Sequence, residues 1–244
     1  MMPGKSRNSG NGVSRVSART SVFLQVRLDS SRLPRKALLE LSGLTVVEHA
    51  MRALDRVEAD NRMLVTTQDS ETELRPLAEK CGWGVFVGSK DDVLGRYVLA
   101  ARKTGADRLV RATGDNPLVS ADMANAALRL FEDSGADFAG FSELPLGAGV
   151  EIVKTSSLEE AFEEAEDPYE REHVSPFLYR RPERYRIVVP PAPDGYRAPG
   201  SRITLDTPED YNFLRKLYRE LYKGVPLDLD LVIPYLMEIS VNAL

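Results

Sequence analysis

Gln25-Val26-Arg27-Leu28-Asp29-Ser30-Ser31-Arg32-Leu33-Pro34-Arg35-Lys36-Ala37-Leu38 joins a β-rich run to a helical one. The run before it, Val22–Arg27, reads as a strand. The stretch after it, near Thr45–Glu58, places Val46, Val47, Ala50, Met51 and Leu54 on one helical face. Between them, Leu28–Leu38 is a polar loop, and residues 27–36 hold four cations and two hydroxyls. In an open parallel sheet, ligands bind beyond the C-terminal ends of strands, and the loop after the first strand often meets phosphate. Charge-assisted bonds from such a cluster offset the desolvation and self-repulsion of a polyphosphate. Charge alone fits a solvated basic loop equally well. Neither the Walker pattern nor Gly-x-Gly-x-x-Gly is present, which disfavours kinase, ATPase and dehydrogenase readings.

The same alternation continues outward. Strands are expected at Arg62–Thr67, Gly84–Val87, Asp107–Ala112, Asp137–Phe141, Val150–Lys154, Tyr185–Val189 and Arg202–Leu205. Helices are expected at Glu71–Cys81, Asp91–Lys103 (with Ser89 and Asp92 resembling a capping box) and Ala121–Asp133. From Ser156 to Arg181 the helical pattern is interrupted by Pro168 and Pro176. Residues 190–200 form a Pro/Gly-rich connection, and Thr207-Pro208-Glu209-Asp210 opens a helix with Leu214, Leu217, Tyr218 and Leu221 on its apolar face. The fold class is therefore α/β, a mostly parallel sheet flanked by helices, in one domain over residues 21–244.

Composition sets the partners. The chain of 244 residues is 43% hydrophobic and carries a net charge of −5, and the four cations of residues 1–20 leave the remainder at −9. An acidic body argues against nucleic-acid binding, and residues 1–20, rich in Ser, Gly and Arg, read as a disordered tail. No apolar run reaches the ~18 residues of a membrane span, so the expectation is a soluble cytoplasmic protein. The single Cys81 excludes a disulfide framework and completes a helical stripe with Leu74, Leu77 and Ala78.

Asp115 follows Arg111-Ala112-Thr113-Gly114 at the end of an expected strand, and Asp206 ends another before a helix. Two strand-end carboxylates suit magnesium, which takes one or two carboxylates plus water and phosphate oxygens. Turn chemistry and helix capping account for the same residues. Likewise Glu151 reads as an edge-strand surface acid, His173 as structural or exposed, and Asp92 with Arg96 as an i, i+4 surface pair. Tyr97, Tyr169, Tyr179 and Tyr211 read as packing residues, and His49 has no assigned role.

Residues 25–38 resemble the opening motif of the sugar cytidylyltransferases, commonly Gln/Pro-Ala-Arg-x-Gly-Ser-Thr-Arg-Leu-Pro-Gly-Lys. The similarity continues through Gly88-Ser89-Lys90-Asp91-Asp92-Val93-Leu94-Gly95-Arg96-Tyr97, Arg111-Ala112-Thr113-Gly114-Asp115-Asn116-Pro117-Leu118, Glu170-Arg171-Glu172-His173-Val174-Ser175-Pro176 and Leu205-Asp206-Thr207-Pro208-Glu209-Asp210. The nearest branch is the spore coat polysaccharide biosynthesis protein F group, with acylneuraminate and 3-deoxy-manno-octulosonate cytidylyltransferases further off. The resemblance implies a Rossmann-like sheet of the nucleotide-diphospho-sugar transferase type and a Mg2+-dependent coupling of CTP to a 2-keto sugar acid. It also implies a homodimer, with a sugar-binding and dimerisation excursion over residues 142–200.

It assigns Arg32, Lys36, Asp115 and Asp206 to catalysis, the two aspartates as metal ligands. Arg27, Ser30, Arg32, Lys36, Arg96 and Arg111 fall to the nucleotide, and Glu151, Arg171 and His173 to the sugar, with Arg171 on its carboxylate. Two departures stand out: Asp29 and Arg35 replace glycines of the pattern, so an acid there would repel phosphate and side chains would crowd the backbone. Gly149 also replaces an acid in Gly147-Ala148-Gly149-Val150-Glu151-Ile152. The alternatives are a nucleotidyltransferase for a phosphorylated sugar or alditol, and a non-catalytic nucleotide-binding partner protein.

Overall fold

A computed structural model describes residues 18–242. Side-chain alternation in β1 (Thr20–Gln25) shows why helices cover both faces of the sheet. Val22 and Leu24 enter one core and Phe23 the opposite one, all fully buried. The remaining strands are β2 (Glu40–Leu41), β3 (Leu44–Thr45), β4 (Asn61–Thr67), β5 (Gly84–Gly88), β6 (Arg108–Thr113), β7 (Phe138–Ala139), β8 (Glu151–Lys154) and β9 (Ile187–Val188). The helices are α1 (Val46–Leu54), α2 (Gln68–Lys80), α3 (Val93–Thr104), α4 (Ala121–Ser134), α5 (Thr155–Glu164), α6 (Pro168–His173), α7 (Pro176–Tyr179), α8 (Pro208–Leu221) and α9 (Leu229–Asn242). Seven strands form one sheet in the order β5-β4-β1-β6-β8-β7-β9, antiparallel only where β8 meets β6 and β7. The mostly parallel sheet is the one expected.

Several boundaries differ. The tail expected over residues 1–20 lies outside the described residues up to position 17. Arg19 and Thr20 are anchored: the Arg19 amide donates to Asp107 at 2.7 Å and the Thr20 amide to Asp60 at 2.8 Å. The strand expected at Arg202–Leu205 is reduced to one bridge between Arg202 and Leu146. Glu151 is not on an edge strand, since β8 is enclosed by β6 and β7. Asp92, not Ser89, caps α3, its carboxylate accepting from the Gly95 amide at 2.9 Å. Tyr169 and Tyr179 are 45% and 41% exposed, so they pack with one face only, Tyr179 against Phe138 at 6.0 Å and Tyr169 under the Arg180 guanidinium at 4.5 Å.

Two features had no clear signal in the sequence. Ser42 and Gly43, both at positive φ, turn β2 into β3 as a two-residue hairpin. α9 buries Leu229, Val232, Ile233 and Leu236 in a third core shared with Leu214, Leu217 and Tyr218 of α8, but carries Pro234 inside it, and proline masks a helical pattern.

His49 on α1 is buried in this third core, its ring 4.4 Å from Tyr218 and its Nε2 2.7 Å from the Leu41 carbonyl. Burial lowers its pKa. The neutral ring therefore stabilises the fold above the unfolded pKa of about 6.5, and this is lost as pH falls through the lower folded value. Stability measured by denaturant titration should fall between pH 7 and pH 5, and His49→Gln should flatten that decline.

Candidate active site

Strand order reverses beside β1, which pairs with β4 on one side and β6 on the other, and a crevice opens at their C-terminal ends. Gly114, just past β6, donates its amide to the Gln25 carbonyl at 2.7 Å, and a Cβ there would lie 2.7 Å from Val26 Cβ. Only glycine permits this approach. Gly114→Ala should therefore part the two strand ends and cost about 1–3 kcal/mol of stability, read as a lowered thermal midpoint.

The crevice is a cavity of about 360 Å³. It gathers Arg27, Ser30, Arg32, Lys36, Arg111, Asp115, His173 and Asp206 from separated parts of the sequence. Lys36 opens a short 3-10 turn, Lys36–Leu38, after Arg35 takes the left-handed conformation (φ 58°, ψ 25°). That is the conformation glycine adopts without strain, which explains why the family pattern has glycine there. The Arg35 guanidinium leaves the cavity and forks onto both carboxylate oxygens of Glu73 on α2.

At the cavity floor the Lys36 ammonium lies 2.6 Å from Asp115 Oδ2 and 2.7 Å from Asp206 Oδ1. Arg32 reaches the same Asp206 oxygen at 2.9 Å. Arg202 holds the other, Oδ2, at 2.6 Å and is itself gripped by Asp210. Asp210 also accepts the amides of Asp206 and Thr207, so the α8 capping box and the Asp206 rotamer are one assembly. Burial pushes the Asp206 pKa up, but hydrogen bonds from Lys36 and Arg202 outweigh it and hold the carboxyl below its ordinary value. Two hard carboxylates converging on one cationic atom fit a divalent ion of the magnesium or manganese type, which completes its shell with water and phosphate. Zinc requires a richer nitrogen and sulfur set, and no group of three or more His, Cys, Asp or Glu among the described residues is placed to hold a metal.

One wall is a half-buried relay. Arg111 donates to Glu151 at 2.8 Å, and the Ser175 hydroxyl donates to the same Glu151 oxygen at 2.6 Å. Val174, at φ 73° and ψ −63°, makes a γ-turn closed by the Ser175 amide on the His173 carbonyl at 2.9 Å. A β-branched residue rarely adopts that strained conformation, and here it turns Glu172 and His173 toward the cavity while Ser175 points to Glu151. The His173 ring packs 4.3 Å from Tyr169.

Three expected site residues do not line the cavity. Glu151 touches it only through Arg111. Arg171 spends its guanidinium on the Ala165 and Phe162 carbonyls and on Asp92, so its side chain ties α6 to α3 and α5. Arg96 is buried, not half of a surface pair with Asp92, and donates to the Ser89 carbonyl. Conversely, Arg202 was missed because it read as a strand residue, although its spacing of four and eight from Asp206 and Asp210 was a usable signal. Glu172 and Gln25, which also line the cavity, gave none.

The family model for cytidylyltransferases matches residues 22–229. The spore coat polysaccharide biosynthesis protein SpsF of Bacillus subtilis (strain 168) is 34% identical over 207 residues, 81% of this chain and 85% of that protein. A 3-deoxy-manno-octulosonate cytidylyltransferase of Chlorobium luteolum is 33% identical over 117 residues, 47% of this chain and 46% of the relative. The structure of a cytidylyltransferase from Leptospira borgpetersenii serovar Hardjo-bovis superposes with a TM-score of 0.83 at 26% identity, covering 92% of this chain and 96% of that one. Matched across most of its length and folded like its relatives, this chain belongs to the cytidylyltransferase family and is a nucleotidyltransferase.

Proposed function

We propose that the protein joins CMP from CTP to a hydroxyl of a 2-keto sugar acid of the nonulosonic type, releasing pyrophosphate, and so supplies an activated sugar for surface polysaccharide. The observation that carries this reading is the meeting of Asp115 and Asp206 on the Lys36 ammonium beneath the cation-rich loop after β1. Asp115 and Asp206 would hold Mg2+, which neutralises charge growing on the α-phosphate oxygens during displacement. Arg27, Ser30, Arg32 and Lys36 bind the triphosphate, and the cations among them stabilise the departing pyrophosphate. Arg111, fixed by Glu151, is the cavity cation left over for the acceptor's carboxylate, and His173 contacts the sugar. Arg171 and Arg96 act from behind, one holding α6 in place and the other bracing the β5–α3 loop beside the nucleotide.

The test is turnover of CTP with MgCl2 against 2-keto sugar acids and, separately, sugar and alditol phosphates. Pyrophosphate release and a CMP-sugar mass are expected with the acids alone. Activity confined to phosphorylated acceptors overturns the acceptor assignment, and CTP binding without turnover of any acceptor overturns catalysis.

A further inference from the structure

We propose that Lys90 is a positioning residue of the nucleotide site: from outside the cavity its ammonium caps Asp29 and cancels a negative charge standing within the phosphate-binding loop. The inference rests on reading the loop after β1 as the triphosphate site. Asp29 lines the cavity beside Ser30, Ser31 and Arg32, at a position where the resembling pattern has glycine. Both of its oxygens are engaged. Oδ2 lies 2.7 Å from Lys90 Nζ, and Oδ1 lies 3.4 Å from Arg27 Nε. The hydrogen bond from Lys90 is the foremost influence holding the Asp29 carboxyl below its ordinary pKa.

Lys90 belongs to the β5–α3 loop and is not part of the cavity lining, and its contact with the lining is the one it makes with Asp29. As a stability device the pair is weak: its side chains are 47% and 37% exposed, and exposed ion pairs contribute about 0–1 kcal/mol. Its weight falls on binding. A bare carboxylate there faces several phosphate charges at short range, and it also competes for Arg27, the first cation of the loop. With Lys90 on the far oxygen, Asp29 holds Arg27 only at 3.4 Å, and the other acid near that guanidinium, Glu172, is 3.9 Å away, so both contacts are loose enough to yield to phosphate. The lysine thereby restores the electrostatics that glycine gives without a side chain.

The experiment is calorimetric titration at low salt with MgCl2, using CTP and, separately, inorganic tripolyphosphate, on the full chain. Lys90→Met should weaken both ligands about tenfold, and Lys90→Arg should stay within about threefold of the unmodified protein. Asp29→Gly combined with Lys90→Met should recover binding to within about threefold, and the deficit of Lys90→Met should shrink at high salt. Unchanged binding by Lys90→Met overturns the proposal, as does a double variant that stays as weak as the single one. If the unmodified protein binds tripolyphosphate but not CTP, the cytidylyl reading falls and the tripolyphosphate series still decides the role of Lys90. Binding of neither ligand overturns both.

Discussion

Replacing Asp206 with alanine should lower kcat by about 10³-fold, roughly 4 kcal/mol of transition-state stabilisation, while leaving the thermal midpoint within a few degrees. The first half follows from the position of its Oδ1, which meets Lys36 and Arg32 at the cavity floor opposite Asp115. The second half follows from how the neighbouring bonds are divided. Asp210, not Asp206, closes the α8 capping box and accepts the amides of residues 206 and 207. Arg202 keeps Asp210, and Lys36 keeps Asp115, so no buried cation is stranded by the substitution. Asp206→Asn, which preserves shape and removes charge, should fall nearly as far. Near-normal kcat in either variant, with folding verified by circular dichroism, would sink the assignment of Asp206 as a metal ligand.

Asp115 and Asp206 illustrate what a sequence carries and what it withholds. Asp115 lies just beyond β6 and Asp206 just before α8, positions that turn and capping chemistry explain on their own, so only the ordered family blocks singled them out. The fold that joins them was legible because β1, β4 and β6 are apolar runs separated by helical periodicity. Their bridge through Lys36 was not, since it depends on a left-handed Arg35 that no local propensity predicts. Arg171 and Arg96 show the opposite failure. Motif membership placed them at the ligand, yet packing turned Arg171 onto carbonyls of a neighbouring helix and sealed Arg96 beneath the β5–α3 loop. Side-chain direction is decided by tertiary neighbours, and a motif does not encode it. The doubt raised by Arg35 dissolves in the structure because Glu73 draws its side chain away, whereas Asp29 stays in the cavity and needs its cation.

Lys36→Met should lower kcat/KM for CTP by about 10²–10³-fold while strengthening divalent-metal binding, and these opposite signs are the informative part. Lys36 is only 12% exposed and lies between two carboxylates that are themselves 24% and 15% exposed. Methionine keeps the apolar stem and removes the charge. Asp115 and Asp206 then face each other without the cation between them, a like-charge arrangement that favours a proton or metal ion in its place. If Asp115 and Asp206 hold Mg2+ as proposed, the incoming ion displaces the ammonium from those same oxygens, which costs part of its binding energy. The variant imposes no such cost, so 10 mM MgCl2 should raise its thermal midpoint by several degrees and that of the unmodified protein by clearly less. Mn2+ titration followed by electron paramagnetic resonance gives the affinities directly. Equal metal affinity in both proteins would show that the ammonium and the ion do not share a site, and would return Asp115 and Asp206 to partners of Lys36 alone. Full turnover by Lys36→Met would instead confine the lysine to the ligand-free state, because a cation that moves from the carboxylates to the phosphates is needed during reaction only if its loss slows it.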